Sequence, residues 1–211
     1  MWIMYIPKIY QIEDTAIIEN FIRANGFATI VSPTDTHPIA THIPLDLQVD
    51  EQGNRLLWGH VSKGNPHWKQ LEHTPKILAI FLSEVHSYIS SSWYNHPNVP
   101  TWNYMSVHAS GTASLLEGEN LWKSLSLLTK KYEKDSQKPV SLESMPSSVQ
   151  RQINGVVGLE IRVEKFECAF KLSQNRNKED LESIISHLKL KDDAGSRLMA
   201  QIMEKEILND E

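Results

Sequence analysis

The sequence predicts a mainly β protein with added helices, folded as an antiparallel barrel or sandwich. Three features support this prediction. Six segments rich in β-branched and aromatic residues follow one another between residues 27 and 117. Clusters of Pro, Gly, Asn and Asp separate them, for example at Asp50–Asn54 and Asn95–Pro100. The helical patterns are short, and most of them lie outside this region.

The first helix is expected at residues 13–25, where Asp14 can cap the start and Asn25-Gly26 supplies a left-handed exit. A second helix, at residues 65–73, interrupts the strands. The predicted strands lie at residues 27–31, 39–49, 55–61, 76–82, 87–93 and 101–117.

The rest of the chain predicts helices and one further strand. A helix is expected from Glu119 to about Lys134. The alternation from Val157 to Val163 indicates a half-buried strand, and its apolar phase changes by Phe166, which predicts a β-bulge near residues 164–165. Two amphipathic helices, at residues 177–190 and about 193–208, close the chain. Their predicted inward faces are Leu181, Ile184, Ile185 and Leu188, and Leu198, Met199, Ile202 and Met203.

Size and composition exclude several classes of protein. A chain of 211 residues buries roughly 70% of its extended surface, so it needs no disulfide or structural metal to fold. Its formal net charge of −5 argues against a surface that is mainly a nucleic-acid footprint. Cys168 is the only cysteine, which excludes an intramolecular disulfide. No stretch approaches the roughly 18 apolar residues of a membrane span. We therefore expect a soluble, cytoplasmic protein with no membrane partner.

Several familiar catalytic motifs are absent from the sequence. It contains no Gly-rich dinucleotide loop, no phosphate-loop lysine motif and no His-Glu-x-x-His zinc pair. Cys168 lies in the apolar phase of a predicted strand, so we interpret it as a small buried hydrophobe. Eight of the nine histidines lie between His37 and His108, but no acidic residue accompanies them in a recurring pattern, and we expect no metal site.

Polar and aromatic residues are densest at residues 90–104. Hydroxyls, one amide and four large aromatic rings lie in its two segments 90–94 and 99–104. Aromatic walls with polar edges suit a planar heterocycle, whereas an aromatic core with a turn explains the same composition. The candidate binding residues are Ser92, Trp93, Tyr94, Trp102 and Asn103.

A second candidate segment is Gly59–Asn65, directly before the predicted helix. Ser62, Lys63 and Asn65 there could hold a phosphate group, although loops of Ser, Lys and Gly are common. Together with an aromatic pocket on a small β-barrel, this segment indicates a nucleotide-like cofactor without a dinucleotide-binding fold.

A series of short motifs, in order along nearly the whole chain, resembles the PaiB-like family of FMN-binding negative transcriptional regulators. The motifs are Met4-Tyr-Ile-Pro7, His42-Ile-Pro-Leu45, Gly59-His60 with Asn65-Pro66 and Trp68, Tyr88-Ile-Ser-x-Ser-Trp-Tyr94, Val99-Pro-Thr-Trp-Asn-Tyr104 with Val107-His108 and Gly111, and Lys171-Leu-Ser-Gln-Asn-Arg176.

This resemblance implies a split antiparallel β-barrel of the pyridoxamine-oxidase-like, FMN-binding type, with peripheral helices and a C-terminal helical tail. Residues 1–170 are expected to form the barrel domain and residues 171–211 a tail packed on it. A homodimer with flavin at the subunit interface is also implied. By analogy with related flavin barrels, the phosphate contacts come from His60, Val61, Ser62, Lys63 and Asn65, and the ring contacts from Thr41, His42, Ile43 and Pro44.

The motif Lys171–Arg176 has two interpretations. It is a polar strand exit before a helix cap, with Asn177 capping and Asp180 three residues on. Alternatively, Lys171 and Arg176 contact the partner subunit or a ligand phosphate.

The function expected from the resemblance is regulation through flavin or metabolite binding. The alternatives are an FMN-dependent oxidoreductase acting on a small substrate and a haem-handling split barrel, which only the histidine density favours. The sequence does not decide between regulator and enzyme, because flavin redox chemistry needs few protein groups. Residues 171–211 carry seven Lys and Arg against nine Asp and Glu, which argues against direct DNA binding.

Overall fold

Nine strands form the framework of the protein in the computed structural model, which describes residues 4–208. The strands are β1 Gln11–Ile12, β2 Phe27–Ser32, β3 Ile39–Pro44, β4 Asp46–Val49, β5 Arg55–Ser62, β6 Lys76–Leu82, β7 Ser87–Ile89, β8 Thr101–Leu116 and β9 Val156–Lys171. The α-helices are α1 Thr15–Ala24, α2 His67–His73, α3 Gly118–Glu133, α4 Ser147–Gln150, α5 Lys178–Leu190 and α6 Ala194–Met203.

The chain forms two compact units. Of the described residues, unit one contains 4–18, 82–107 and 167–208, and unit two contains 19–81 and 108–166. The long strands β8 and β9 contribute residues to both units. The expected division into a barrel domain and a tail at residue 170 stays a prediction.

Unit two is built on antiparallel strand pairing in the order β3-β2-β6-β8-β9-β5-β4. Leu47 pairs with Leu57, and Leu57 pairs with Ile161, so one row of side chains runs across β4, β5 and β9. All three are buried. Because residues directly opposite on neighbouring strands share a face, this row forms part of the core of unit two.

Unit one is built on α5 and α6, with β7 paired to the start of β8 and β1 to the end of β9. Asn177 caps α5 by accepting a hydrogen bond of 2.8 Å from the N–H of Asp180, as predicted. Asp193 caps α6 through the N–H of Ser196, at 2.6 Å. The predicted inward face of α5 is buried throughout.

Three sequence predictions are corrected. The strand expected at residues 39–49 is two strands, because Pro44 has no N–H for the ladder and the N–H of Leu45 bonds to the carbonyl of Gly26 at 2.8 Å. The strand expected at residues 87–93 ends at Ile89. A 3-10 turn, Ser91–Trp93, follows because the Ser90 hydroxyl accepts from the N–H of Ser92.

The third correction concerns α6, where Leu198 is exposed instead of inward. Residues buried along this helix are Ser196, Met199, Ala200 and Met203. Strand β9 is continuous, and its buried positions change from odd numbers at Leu159 and Ile161 to include the even-numbered Cys168 and Phe170, as the apolar phase predicts. The bulge itself stays a prediction. Within residues 4–208, no helix combines the length and apolar character that a membrane-crossing segment requires.

Candidate functional site

Unit two contains a cavity of about 410 Å³ between the ends of β3 and β5 and the turn before β9. A volume of this size is within the range of small-molecule sites. It is lined by Thr41, His42, Ile43, Pro44, His60, Val61, Ser62, Asn65, Gln152, Gly155 and Val156. All residues that sequence reasoning assigned to flavin from β3 and β5 therefore line one cavity, except Lys63.

The walls of this cavity approach closely at Gly59. A Cβ built on Gly59 would lie 2.8 Å from the carbonyl oxygen of Pro44 and 2.7 Å from Cδ2 of Leu45. The close approach of β5 to the corner after β3 therefore requires glycine at this position. Ile43 and Val61, which are buried, provide apolar lining.

A polar network fixes one end of the cavity. The Thr41 hydroxyl accepts a hydrogen bond of 3.2 Å from the Asn65 amide and lies 2.9 Å from Nδ1 of His67. Nε2 of His67 lies 3.0 Å from the Ser32 hydroxyl, so both ring nitrogens have partners. His67 is buried, and burial lowers the pKa of its imidazole. A neutral imidazole therefore holds Thr41 and Asn65 in place.

His60 is the polar side chain in this cavity that lacks a full set of partners. Its Nδ1 atom is buried and has no hydrogen bond to any described residue. Burial lowers the pKa of His60, so the neutral ring is favoured. A buried polar atom without a partner costs free energy unless a ligand or water satisfies it. The described residues therefore leave Nδ1 without the partner that a buried polar atom requires.

The loop of residues 62–65 is tied down by its own hydrogen bonds. The N–H of Lys63 donates to the carbonyl of Gly155 at 2.9 Å, and the N–H of Asn65 donates to the carbonyl of Ser62 at 2.9 Å. The Lys63 side chain is exposed and does not line the cavity. Helix α2, predicted at residues 65–73, begins later at His67 and has seven residues.

The remaining candidate residues of sequence reasoning belong to unit one. The Ser92 hydroxyl is exposed and pairs with that of Ser90 at 2.9 Å. The Trp93 ring stacks on His187, with centroids 5.1 Å apart and an interplanar angle of 15°. Trp102 is exposed, and its ring contacts the edge of Tyr88 at 5.8 Å. These residues lie on the surface of the unit.

Asn103 is fully buried, and both ends of its amide are used. Its oxygen accepts from the Ser173 hydroxyl at 3.0 Å, and its nitrogen lies 3.5 Å from the Met203 sulfur. Asn103 thus connects β8 to the turn after β9 and to α6.

Tyr94, Lys171 and Arg176 belong to one polar cluster in unit one. The guanidinium of Arg176 lies over the ring of Tyr94, at 4.8 Å from its centroid. Lys171 donates to the Thr101 hydroxyl. Burial, and secondly the charge of Arg176, lower the pKa of Lys171. The cluster therefore places two cations near a buried phenol.

Sequence reasoning missed three residues of the cavity: Gln152, Gly155 and Val156. Gln152 and Gly155 lie in a 3-10 turn, Arg151–Gly155, that follows α4 and carries no apolar periodicity, and Val156 is the first residue of β9. The dipeptide Asn154-Gly155 before the β9 pattern is a turn signal that marks this position. No signal in the sequence indicates that the turn faces β5.

The family model described as "Putative FMN-binding domain" matches residues 4–165 of the chain. The chain is 39% identical to "Protease synthase and sporulation protein PAI 2" of Bacillus subtilis over 205 residues, which cover 97% of this chain and 98% of the relative.

Solved structures show the same fold. A FAD and heme binding protein from Mycobacterium smegmatis has a TM-score of 0.62 at 16% identity, covering 82% of this chain and 80% of its own. The flavocytochrome Anf3 from Azotobacter vinelandii has a TM-score of 0.57 at 17% identity, covering 82% of this chain and 75% of its own. The predicted fold class, a split antiparallel β-barrel with helices around it, is confirmed.

Proposed function

The chain belongs to this family of FMN-binding domains, and from that membership we propose that it is a regulatory protein that acts through bound flavin or a metabolite. The observation that carries the proposal is the cavity of unit two, which is lined by Thr41–Pro44, by His60–Ser62 and by Asn65, the residues assigned to flavin by analogy with related flavin barrels. A regulatory role is supported by the 39% identity to PAI 2 of Bacillus subtilis over nearly the full length of both chains.

The residues of the cavity fit FMN. Thr41–Pro44 offer apolar lining and polar groups to the flavin ring, whose redox chemistry is its own. Ser62 and Asn65 line the same cavity and offer polar groups to the phosphate. Lys63 is one residue away and exposed, so its flexible side chain supplies charge at the cavity mouth.

Titration with FMN, FAD and riboflavin, followed by quenching of flavin fluorescence, tests the proposal. We expect FMN to bind more tightly than riboflavin, because only FMN carries the phosphate. Lys63→Ala should weaken FMN binding by about 1–3 kcal/mol and leave the affinity for riboflavin unchanged. Lys69→Ala, an exposed lysine on α2, is the matched control. No FMN binding at ~1 mM, the affinity of a marginal complex, would refute the proposal.

An FMN-dependent oxidoreductase is the second candidate. The observation in its favour is the chain of Ser32, His67 and Thr41, which reaches the cavity through an imidazole that can exchange a proton. Rapid reduction of the bound flavin by a nicotinamide cofactor, with turnover on a small acceptor, would support the enzyme. Absence of both would support the regulator. A Soret band in the purified protein would instead favour haem binding.

We also propose a cytoplasmic homodimer. Unit one exposes several large apolar side chains, namely Leu82, Tyr88, Val99 and Trp102. Exposed apolar residues in one region favour association. The location is supported by the free, buried thiol of Cys168. Sedimentation at micromolar protein should give about twice 24.1 kDa. A monomer that binds FMN tightly would overturn the dimer and leave the flavin cavity intact.

A further inference from the structure

A second polar site lies in unit one, around Arg176. We infer that Tyr94, Lys171 and Arg176 bind an oxyanion, a phosphate or carboxylate group of a small molecule. The flavin cavity of unit two contains none of these residues, and the inference does not depend on flavin binding there.

Two hydrogen-bond donors in this cluster are buried without partners. The phenol of Tyr94 is 8% exposed, and neither its hydroxyl nor Nε of Arg176 bonds to any described residue. Guanidinium nitrogens only donate, and a phenol proton seeks an acceptor. Because buried donors without acceptors are costly, both atoms require an acceptor that the described part of the chain does not provide.

The charge of the cluster is also uncompensated. Lys171 and Arg176 form no ion pair with a carboxylate of the described residues. Burial is the main cause that lowers the pKa of Lys171, and the nearby charge of Arg176 lowers it further. An anion that pairs with both cations would offset the repulsion between them.

The backbone that carries Arg176 is held in an unusual conformation. Ser173 has φ of 66°, a left-handed value that is uncommon for serine. Its hydroxyl bonds to the buried Asn103, and its carbonyl accepts from the N–H of Arg176 at 2.9 Å. Such a conformation persists only where the surroundings impose it, and it is concentrated at ligand sites. The turn therefore fixes the position of Arg176 before any ligand binds.

An aromatic wall completes the site. Tyr10 lies near Arg176, Tyr94 and Tyr104, and burial is the main reason that the pKa of Tyr10 is raised. Phenols that stay neutral donate hydrogen bonds to an anion without repelling it. Two cations beside the buried phenol of Tyr94 suit an oxyanion better than a neutral ligand, which would leave the charges unpaired.

The ¹⁵N-labelled full-length chain, titrated with sodium phosphate or acetate at constant ionic strength, tests the inference. The readout is the Nε–H signal of Arg176, assigned by its loss in Arg176→Gln. We expect a saturable shift of this signal with phosphate in the millimolar range, about the affinity of a small anion at one site. Arg176→Gln should weaken phosphate binding at least tenfold. Because this variant lacks the Nε–H signal, its binding is followed on a signal from another residue of the cluster. Tyr94→Phe should weaken phosphate binding about threefold.

Arg197→Gln removes the same charge from an exposed position of unit one and serves as the matched control. Tyr94→Phe keeps the buried ring and loses no hydrogen bond, so it separates the anion site from the fold. FMN that shifts the Arg176 signal while riboflavin does not would identify the flavin phosphate as the anion. Phosphate or acetate that shifts it while FMN does not would identify a separate acid. No saturable shift with either anion, or equal weakening in Arg197→Gln, would overturn the inference.

Discussion

Substitution of Gly59 by alanine tests the link between the packing of β5 and the flavin cavity. The added Cβ would lie 2.8 Å from the carbonyl oxygen of Pro44 and 2.7 Å from Cδ2 of Leu45. The Leu45 side chain can rotate, but it is fully buried, and the Pro44 oxygen belongs to the backbone. Since the optimal separation is roughly 3.5 Å, β5 and the corner after β3 must move apart by about 0.7 Å.

The loss of stability expected for Gly59→Ala follows from the insertion of a methyl group into a well-packed core. Such insertions destabilise proteins by about 1–3 kcal/mol. For a chain of this size, we expect Gly59→Ala to lower the melting temperature by roughly 2–12 °C. Pro44 and His60, the residue after Gly59, both line the cavity. The same displacement should therefore weaken FMN about tenfold, which is about 1.4 kcal/mol.

The assay pairs thermal melting of the flavin-free protein with FMN fluorescence quenching. Gly64→Ala is the control, because its Cβ would meet only the Ser62 hydroxyl, at an ordinary 3.6 Å. Alanine there should leave stability unchanged or raise it by about 0.4–1 kcal/mol, since the unfolded chain loses freedom. If Gly59→Ala has the same stability and the same FMN affinity as the wild type, the reasoning is refuted. Equal losses in both variants would also refute it.

Gly111→Ala should destabilise more than Gly59→Ala, by about 3 kcal/mol or more, because its Cβ would lie 2.2 Å from the Arg162 carbonyl oxygen; urea unfolding measures the difference. Burial lowers the pKa of His67, so the unfolded chain takes up a proton near pH 6.5 while the folded chain does not. The free energy of unfolding should therefore fall as the pH decreases below about 6.5 towards the pKa of the folded protein. His67→Gln should remove only part of this pH dependence, because burial also lowers the pKa of His60. A denaturation midpoint that does not change with pH would contradict this prediction. Burial raises the pKa of Cys168 to about 12, so a thiol reagent at about pH 8 should react only on unfolding, and rapid labelling of the native chain contradicts this.

Elements with local causes were predictable from the sequence. Helix α1 begins where Asp14 accepts from the N–H of Ala16 at 2.7 Å, and the apolar spacing of α5 is its buried face. Predictions failed where a side chain competed with the regular backbone. Ser90 diverts the strand at Ile89 into a turn. Leu198 is a different case, because it is apolar but lies outward on α6 while Met199 beside it is buried.

The analogy with related flavin barrels singled out Thr41–Pro44 and His60–Asn65, most of which line the cavity of unit two, and their contact with flavin stays a prediction. The closure of this cavity was not predicted. Thr41–Pro44 and His60 belong to strands with clear patterns, and the fold of unit two brings these strands to one cavity although β3 and β5 are not neighbours in the strand order. The turn that contains Gln152 and Gly155 is held beside the cavity by a hydrogen bond from the N–H of Lys63 to the Gly155 carbonyl. This bond joins residues that are far apart in the chain. Backbone contacts of this kind leave no trace in residue type.

The two proposed sites share one feature, which is the presence of buried polar atoms without hydrogen-bond partners. Within the described residues, four such side-chain atoms occur: His60 Nδ1, Tyr94 Oη, Arg176 Nε and Asp180 Oδ2. The last has an explanation in the fold, since Oδ2 of Asp180 lies 3.4 Å from Nδ1 of His96, which pairs with it when protonated. The other three belong to residues that the sequence assigned to cofactor contact. Because folding alone selects against such atoms, we propose that bound ligands supply the missing partners of His60 and of the Arg176 cluster.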